Sequence, residues 1–225
     1  MTQEQAIVNL DEMITAIEKA RIDLSKHHIV KLVAVSKYST SSDVETLYNA
    51  GQRAFGENKV QDFKEKSSAL DEYPLEWHFI GSLQKNKINN LIDLRPSLMQ
   101  SLHSMELALE LNKKLEAKSQ KMSCLLQINS AKEDSKSGVM PQDAIKIYDK
   151  IQQECPNIKL KGVMSIGAHT QDKTIIKESF IKTHDIFTSL QKDGATICSM
   201  GMSSDFELAI ECGSNMIRVG SKLFK

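Results

Sequence analysis

The chain has 225 residues, of which 26% are charged and 40% hydrophobic, a balance typical of a globular protein. Its 29 lysines and arginines equal its 29 acidic residues in number, so there is no global positive field. This composition argues against a protein that recruits nucleic acid or anionic lipid through net charge. No apolar segment approaches the roughly 20 residues that a membrane span needs. We therefore expect no nucleic-acid partner and no membrane partner.

The four cysteines are scattered, without a Cys-x-x-Cys pair or a histidine at ligand spacing. This pattern is typical of reduced, mostly buried thiols in a cytoplasmic protein, and it gives no support for a metal site. Near the N-terminus, Asp11, Glu12 and Glu18 interrupt the stretch that a signal peptide would keep apolar. We expect a cytoplasmic protein that binds no metal.

The first predicted element is a helix over residues 3–24, where Ile7, Leu10, Ile14 and Ile17 recur at helical spacing. From residue 31 onward, short apolar runs predicted as strands alternate with longer helical patterns. The predicted strands are 31–36, 53–56, 77–80, 98–102, 124–129, 160–166, 196–200 and 216–219. The predicted helices include 41–50, 105–117, 141–154, 174–191 and 205–212, the last capped by Ser203 or Ser204.

Alternation of strand and helix predicts a parallel sheet. Eight strands in a chain of this length favour a single (β/α)8 TIM barrel of the α/β class. An open doubly wound sheet is the alternative, but its first turn is usually rich in glycine, whereas this one reads Ser36-Lys37-Tyr38. We predict one domain over residues 1–225. Its N-terminal helix, in 1–28, would cover the gap after the last strand of the barrel, 29–225.

Lys37 stands at the end of the first predicted strand, where a barrel presents side chains to an active site. A lysine held against apolar walls loses its proton more readily and becomes a nucleophile toward carbonyl groups. A solvated lysine after an ordinary strand is the alternative. The other strand ends are polar and rich in glycine, and they read Glu57-Asn58, Gly81-Ser82, Asn129, Gly167, 201–203 and 218–221.

Two of these strand ends have the composition of an anion site. Gly220-Ser221 can present backbone N–H groups and a hydroxyl to a phosphate. Ser203-Ser204, at a predicted helix start, adds N–H donors and a favourable dipole. Phosphate sites after strands seven and eight recur in barrels. Together with Lys37, they suggest a ligand that carries one phosphate and one carbonyl group.

Other conspicuous residues have simpler interpretations. We expect Trp77 and Phe79 to pack on one face of the third strand. His78, between them, is interpreted as a hydrogen-bonded structural histidine rather than a base. Glu133 and Asp134 lie in a lysine-rich loop, where surface charge is the default interpretation.

Several linked motifs follow one another at the predicted strand ends. They are VAVSK at 33–37, FGEN at 55–58, WHFIGSLQ at 77–84, SKSG at 135–138, GVMSIG at 162–167, and SMGMS at 199–203 followed by DFE at 205–207. In this order they resemble the YggS/PROSC family, the pyridoxal phosphate homeostasis proteins, from about residue 32 to residue 224. The resemblance implies a barrel similar to the N-terminal domain of alanine racemase.

The resemblance also implies a set of residues that bind pyridoxal 5'-phosphate (PLP). PLP would be held as a Schiff base on Lys37, with Asn58 lining the pocket of the ring. Arg218 would face the pyridine nitrogen. The phosphate would be held by Ser203, Gly220 and Ser221.

The implied arginine indicates what the protein does with the cofactor. A permanently charged guanidinium facing the ring nitrogen disfavours a protonated pyridinium, so the ring becomes a poor electron sink. Alanine racemases also bring a tyrosine from a separate β-domain, for which this chain shows no segment. We expect a protein of intracellular PLP homeostasis that stores, buffers or delivers PLP, without catalytic residues or turnover.

Two alternatives remain open at this point. One is a weak PLP-dependent amino-acid racemase with Lys37 as its sole base. The other is a lyase without a cofactor, which would use Lys37 against a phosphorylated sugar. For the preferred interpretation we expect PLP as the ligand, PLP-requiring apo-enzymes as transient partners, and a monomer.

Overall fold

The computed structural model describes residues 1–133 and 136–225. Eight parallel strands pair in chain order, and β1 pairs with β8 to close a barrel. The strands are β1 Lys31–Val35, β2 Ala54–Glu57, β3 Glu76–Phe79, β4 Leu98–Leu102, β5 Met122–Ile128, β6 Ile158–Ser165, β7 Ile197–Ser199 and β8 Met216–Val219. Their bounds differ from the predicted ones by at most two residues. The predicted (β/α)8 barrel is confirmed, and the open sheet is excluded.

Helices alternate with these strands around the outside of the barrel. They are α1 Gln3–Leu24, α2 Ser41–Asn49, α3 Val60–Ala69, α4 Ile88–Leu94, α5 Met105–Ala117, α6 Ala144–Glu154, α7 Lys173–Leu190 and α8 Phe206–Glu211. The helix predicted from residue 141 begins as a 3-10 turn over Pro141–Asp143 and becomes α6. No helix in the described ranges combines the length and apolar character needed to cross a bilayer.

The N-terminal helix packs against α8 and α2 through a face that includes the predicted Leu10 and Ile17. Ile7 and Ile14 are each 45% exposed, because the buried stripe continues through Ala6 and Met13 instead. That stripe contains Ala6, Leu10, Met13, Ile17 and Ala20. Asn9 extends it and donates through Nδ2 to the carbonyl of Leu223 at 3.2 Å. Helix α1 therefore covers the end of the chain that follows β8, as expected.

Side chains alternate between the helix side and the interior of the barrel. Trp77 and Phe79 belong to the large core between strands and helices, which confirms their predicted packing on one face. His78 points the other way and is fully buried. Its Nε2 lies 2.9 Å from Glu76 Oε1, and its Nδ1 lies 2.8 Å from Gln100 Nε2. The interpretation of His78 as a hydrogen-bonded structural residue is confirmed.

Gly162 permits a close approach of β6 to β7. The pairing of β5 with β6 shifts register between Cys124 and Leu125, and Gly162 takes a φ of 142° just after the shift. A Cβ at this position would lie 1.9 Å from the backbone oxygen of Ile197. The strand contact therefore requires a residue without a side chain.

We expect Gly162→Ala to reduce the free energy of unfolding by at least about 2 kcal/mol more than Gly194→Ala does. Gly194 is the matched control, since its φ is also positive, at 90°, but a Cβ there meets no atom within 4 Å. Urea denaturation of both variants measures the difference. Equal destabilisation would show that the backbone conformation alone, and not the contact with β7, requires glycine at 162.

Candidate functional site

A pocket of about 390 Å³ opens where the C-terminal ends of β1, β7 and β8 meet. Because β1 pairs with β8, the loops that follow these strands face each other at the barrel mouth. Five of the six predicted site residues line this pocket: Lys37, Ser203, Arg218, Gly220 and Ser221. Asn58, the sixth, does not line it. Apolar surface comes from Val35, Met202 and Phe224.

Lys37 lies in the turn after β1 and is exposed. Its Nζ is 5.0 Å from the centroid of the Tyr38 ring, which is itself 90% exposed. The expectation that apolar walls enclose this lysine is therefore wrong. The buried residue at the strand end is Ser36, and the chain turns directly after it. The amine of Lys37 is reachable from solvent at the edge of the pocket.

A buried ion pair fixes the backbone beneath Lys37. Glu57 Oε1 accepts hydrogen bonds from Lys66 Nζ at 2.7 Å and from Ser36 Oγ at 2.6 Å. Lys66 Nζ also donates to the carbonyl of Ser36 at 2.5 Å. Glu57 is fully buried and Lys66 is 7% exposed, so the three groups are held without competition from water. This arrangement ties the end of β1 to β2 and α3.

Lys66 was not predicted as part of the site. It lies three residues after Phe63 and therefore on the same face of α3, where both side chains are buried. A lysine on an apolar helix face usually extends its amine to solvent, so the spacing alone did not indicate a buried ion pair.

Asn58 follows Glu57 and contacts the next strand end. A Cβ at Gly81 would lie 1.8 Å from the backbone oxygen of Asn58, so the two loops touch. Within the described part of the chain, Asn58 Oδ1 and Glu57 Oε2 are buried without a hydrogen-bond partner. Such acceptors are rare in folded proteins and can take a donor from a ligand or from water.

The loops of the predicted anion site differ from the prediction in what Ser203 contacts. Helix α8 has Asp205 at its N-cap position, so neither Ser203 nor Ser204 caps it. Instead, Ser203 Oγ accepts from the backbone N–H of Gly220 at 3.3 Å. A Cβ on Gly220 would lie 3.0 Å from the carbonyl oxygen of Val35. The chain after β8 can therefore lie close to both β1 and the loop after β7.

Arg218 brings a buried positive charge to the pocket. It is 5% exposed, and it donates through Nη1 to Ser199 Oγ at 2.5 Å and through Nη2 to the carbonyl of Ser165 at 2.8 Å. Burial lowers the pKa of Arg218 to about 10, and the carboxylate of Asp205 opposes that change. The guanidinium remains charged at neutral pH. Burial likewise raises the pKa of Asp205, whose Oδ1 accepts from the N–H of Met202 at 2.6 Å.

A smaller pocket of about 220 Å³ lies among the ends of β3, β5 and β6 and is lined in part by Lys136. Lys136 Nζ donates to Glu133 Oε1 at 2.8 Å and to the carbonyl of Gly167 at 2.6 Å. The hydrogen bond from Lys136 lowers the pKa of Glu133. Glu133 is thus paired with a lysine. Asp134 and Ser135, named in the predicted loop and motif, lie outside the described residues.

The groups that line the 390 Å³ pocket define what it can bind. Lys37 supplies an accessible primary amine, the loops at Ser203 and Gly220 supply N–H and O–H donors, and Arg218 supplies a fixed cation. An amine condenses with an aldehyde, and clustered N–H donors bind phosphate. The arrangement fits a phosphorylated aldehyde with a further acceptor group that Arg218 can approach.

Comparisons with known proteins identify the family of this chain. The family model described as "Alanine racemase, N-terminal domain" matches residues 8–225. A pyridoxal phosphate homeostasis protein of Helicobacter pylori is 54% identical over 96% of this chain and 96% of its own. A protein of the same name from Pasteurella multocida is 39% identical over 100% of this chain and 97% of its own.

A solved structure extends the comparison to a bound ligand. PipY of Synechococcus elongatus, solved with PLP bound, is 30% identical and superposes with a TM-score of 0.79, covering 93% of this chain and 100% of that chain. The family model spans nearly the whole sequence, and the two bacterial relatives are well above 30% identity over nearly their full lengths. The chain therefore belongs to the alanine racemase N-terminal domain family and, within it, to the pyridoxal phosphate homeostasis proteins.

Proposed function

We propose that this protein binds PLP and serves intracellular PLP homeostasis by storing, buffering or delivering the cofactor. One observation carries the proposal: Lys37, Arg218 and the loops at Ser203 and Gly220 meet in a single pocket. The names of its relatives, and the PLP bound to PipY, support the choice of ligand.

The residues present fit PLP group by group. The Lys37 amine would condense with the aldehyde and release water, which leaves a Schiff base. Ser203, Gly220 and Ser221 would hold the phosphate, since all three line the pocket that Lys37 also lines. Asn58, which lies outside the pocket lining, would contact the ring from its rim, and its buried Oδ1, without a hydrogen-bond partner among the described residues, is free to accept from a ligand.

Arg218 would face the ring nitrogen and keep it unprotonated, since two neighbouring cations repel each other. When bound, PLP stabilises carbanions through its ring, and it does so weakly when the nitrogen carries no proton. The charge of Arg218 therefore suits a protein that only holds PLP, and it also suits a racemase that has a further catalytic group, so the choice between them depends on whether such a group is present.

A weak amino-acid racemase with Lys37 as its sole base is the alternative, and efficient turnover would need a second acid or base opposite Lys37. Tyr38 lines the pocket, but it is the next residue along the chain and extends from the same turn. Tyr48 and Tyr73 pack against each other with ring centroids 5.0 Å apart, and Tyr148 is fully buried. None of these tyrosines is placed to act across the pocket from Lys37. We therefore propose a protein without turnover.

The exposure of Lys37 suits exchange of the cofactor. An amine at the edge of an open pocket can be reached by other amines or by PLP-requiring apo-enzymes, which we propose as transient partners. We also propose that residues 1–225 act as one domain and as a monomer in the cytoplasm. The four cysteines, all free thiols in the structure, suit a reducing compartment.

Lys37→Ala is expected to abolish the visible absorbance of the PLP Schiff base while leaving the fold intact, because one exposed side chain is lost. Some PLP should still bind through its phosphate. Lys192→Ala, which removes an exposed lysine after α7, is the matched control and should keep the wild-type spectrum. Absorbance spectra of the three proteins after incubation with PLP measure this. A wild-type spectrum in Lys37→Ala would contradict the assignment of the amine.

Ser221→Glu is expected to raise the Kd for PLP at least tenfold, equivalent to about 1.4 kcal/mol, because a carboxylate would face the phosphate. Ser68→Glu, at an exposed position on α3, adds the same charge elsewhere and should leave the Kd unchanged. Fluorescence titration of each apo-protein with PLP gives the constants. Equal affinity in both variants would place the phosphate away from Ser221.

A further inference from the structure

A row of hydrogen-bonded polar side chains crosses the interior of the barrel and ends at Arg218. We call Glu76, His78, Gln100 and Ser199 the interior column. His78 Nε2 lies 2.9 Å from Glu76 Oε1, and His78 Nδ1 lies 2.8 Å from Gln100 Nε2. Gln100 Oε1 then accepts from Ser199 Oγ at 2.7 Å, and Ser199 Oγ accepts from Arg218 Nη1 at 2.5 Å. The links are continuous from the start of β3 to the pocket.

The donors and acceptors of neighbouring groups assign a direction to each hydrogen bond in the interior column. A guanidinium only donates, so Ser199 Oγ accepts from Arg218, and the proton of the Ser199 hydroxyl points at Gln100 Oε1, 2.7 Å away. The amide oxygen of Gln100 is thereby used, and its NH2 group donates to His78 Nδ1. That nitrogen must carry a lone pair, so the proton of His78 sits on Nε2 and points at Glu76.

The far end of the interior column is anchored by charge. Lys31 Nζ lies 2.5 Å and 2.6 Å from the two carboxylate oxygens of Glu76. The hydrogen bond from His78, opposed by burial and assisted by Lys31, lowers the pKa of Glu76 to about 2. Glu76 is therefore a carboxylate at neutral pH, and it can only accept the proton of His78 Nε2.

Burial makes the arrangement hard to change. His78, Gln100 and Ser199 are all fully buried, so water does not replace a broken link. The second hydrogen of the Gln100 amide points toward Met216 Sδ, 3.4 Å away, which keeps its NH2 group on the side of His78. His78, Gln100 and Ser199 therefore hold a single hydrogen-bonded arrangement inside the barrel.

We propose that Gln100 and Ser199, oriented by His78, are positioning residues that hold the guanidinium of Arg218 at the angle the pocket requires. Among residues 1–133 and 136–225, Arg218 donates two hydrogen bonds, and the one that does not go to Ser199 goes to the backbone carbonyl of Ser165. The side-chain anchor thus decides how the guanidinium is turned and which edge faces the pocket. The consequence for PLP rests on the proposed function, whereas the positioning itself does not.

The first measurement needs no cofactor. The chain has four arginines, at 21, 53, 95 and 218, so their side-chain signals in 15N NMR are few, and Arg218→Lys identifies those of Arg218. Restricted rotation in the wild-type protein should separate its two Nη signals. Ser199→Ala and Gln100→Met should merge or broaden them, and Ser199→Thr, which keeps the hydroxyl, should preserve them. Ser101→Ala is the control, since that buried serine donates to the carbonyl of Gly81 instead.

The second measurement is the affinity and spectrum of bound PLP in the same proteins. We expect the Kd to rise at least fivefold in Ser199→Ala and Gln100→Met, with a shifted 15N resonance of labelled ring nitrogen, and to recover in Ser199→Thr. Unchanged Arg218 signals in both variants would overturn the positioning role. Altered signals with an unchanged Kd and resonance would overturn its consequence for PLP.

The two measurements separate this inference from the proposed function. If the wild-type protein does not bind PLP, the proposed function fails, and the Arg218 signals still decide the positioning role. If Gln100→Met does not fold, as judged by circular dichroism, Ser199→Ala carries both measurements, because it deletes a single oxygen atom.

Discussion

The pairing of β1 with β8 is the constraint on which the pocket depends. In this pairing Ala34 lies opposite Val219, so Lys37, three residues later, comes to the level of the chain after β8, where Gly220 and Ser221 lie. Residues that are far apart in sequence thereby meet at one edge of the barrel. Because side chains alternate along a strand, a shift of one residue would turn Arg218 away from the interior. Closure of the barrel and the register of β1 with β8 together place the Lys37 amine, the loops at Ser203 and Gly220, and the Arg218 guanidinium at the same end of the barrel.

The second constraint is the burial of a cation. Arg218 is nearly inaccessible to solvent, and the two acceptors it contacts, Ser199 Oγ and the carbonyl of Ser165, are both neutral. Burial of a charge is unfavourable, and the carboxylate of Asp205 offsets part of that cost, as an anionic ligand nearby also would. The site is therefore electrostatically suited to a phosphorylated molecule. In the account proposed here, the same charge that attracts PLP also keeps its ring a weak electron sink.

The sequence predicted the barrel well because alternation of apolar runs and helical patterns is a local signal. The sequence predicted less about the burial and contacts of individual side chains. The turn after Ser36 leaves Lys37 exposed, and no periodicity reveals where a chain turns. Ser203 contacts Gly220 instead of capping α8, since both roles suit a serine in the same place. The family resemblance implied six pocket residues, of which three lie in the quoted motifs, and the structure brings five of the six together.

Contacts across the barrel could not be predicted from the sequence at all. Gln100 is 22 residues from His78 and 99 from Ser199, and each is an ordinary polar residue in its own strand. Only closure of the barrel brings these residues together, and the direction of each hydrogen bond depends on the donors and acceptors of neighbouring side chains. The ion pair of Glu57 with Lys66 was missed for a similar reason, because a lysine on an apolar helix face usually reaches solvent.

The most direct test of the account is a crystal structure of the protein soaked with PLP. The account predicts continuous electron density from Lys37 Nζ to the aldehyde carbon of PLP. It also predicts the phosphate against Ser203, Gly220 and Ser221, with the ring nitrogen facing Arg218. Continuous density to a different lysine, or a phosphate bound away from the end of β8, would contradict it.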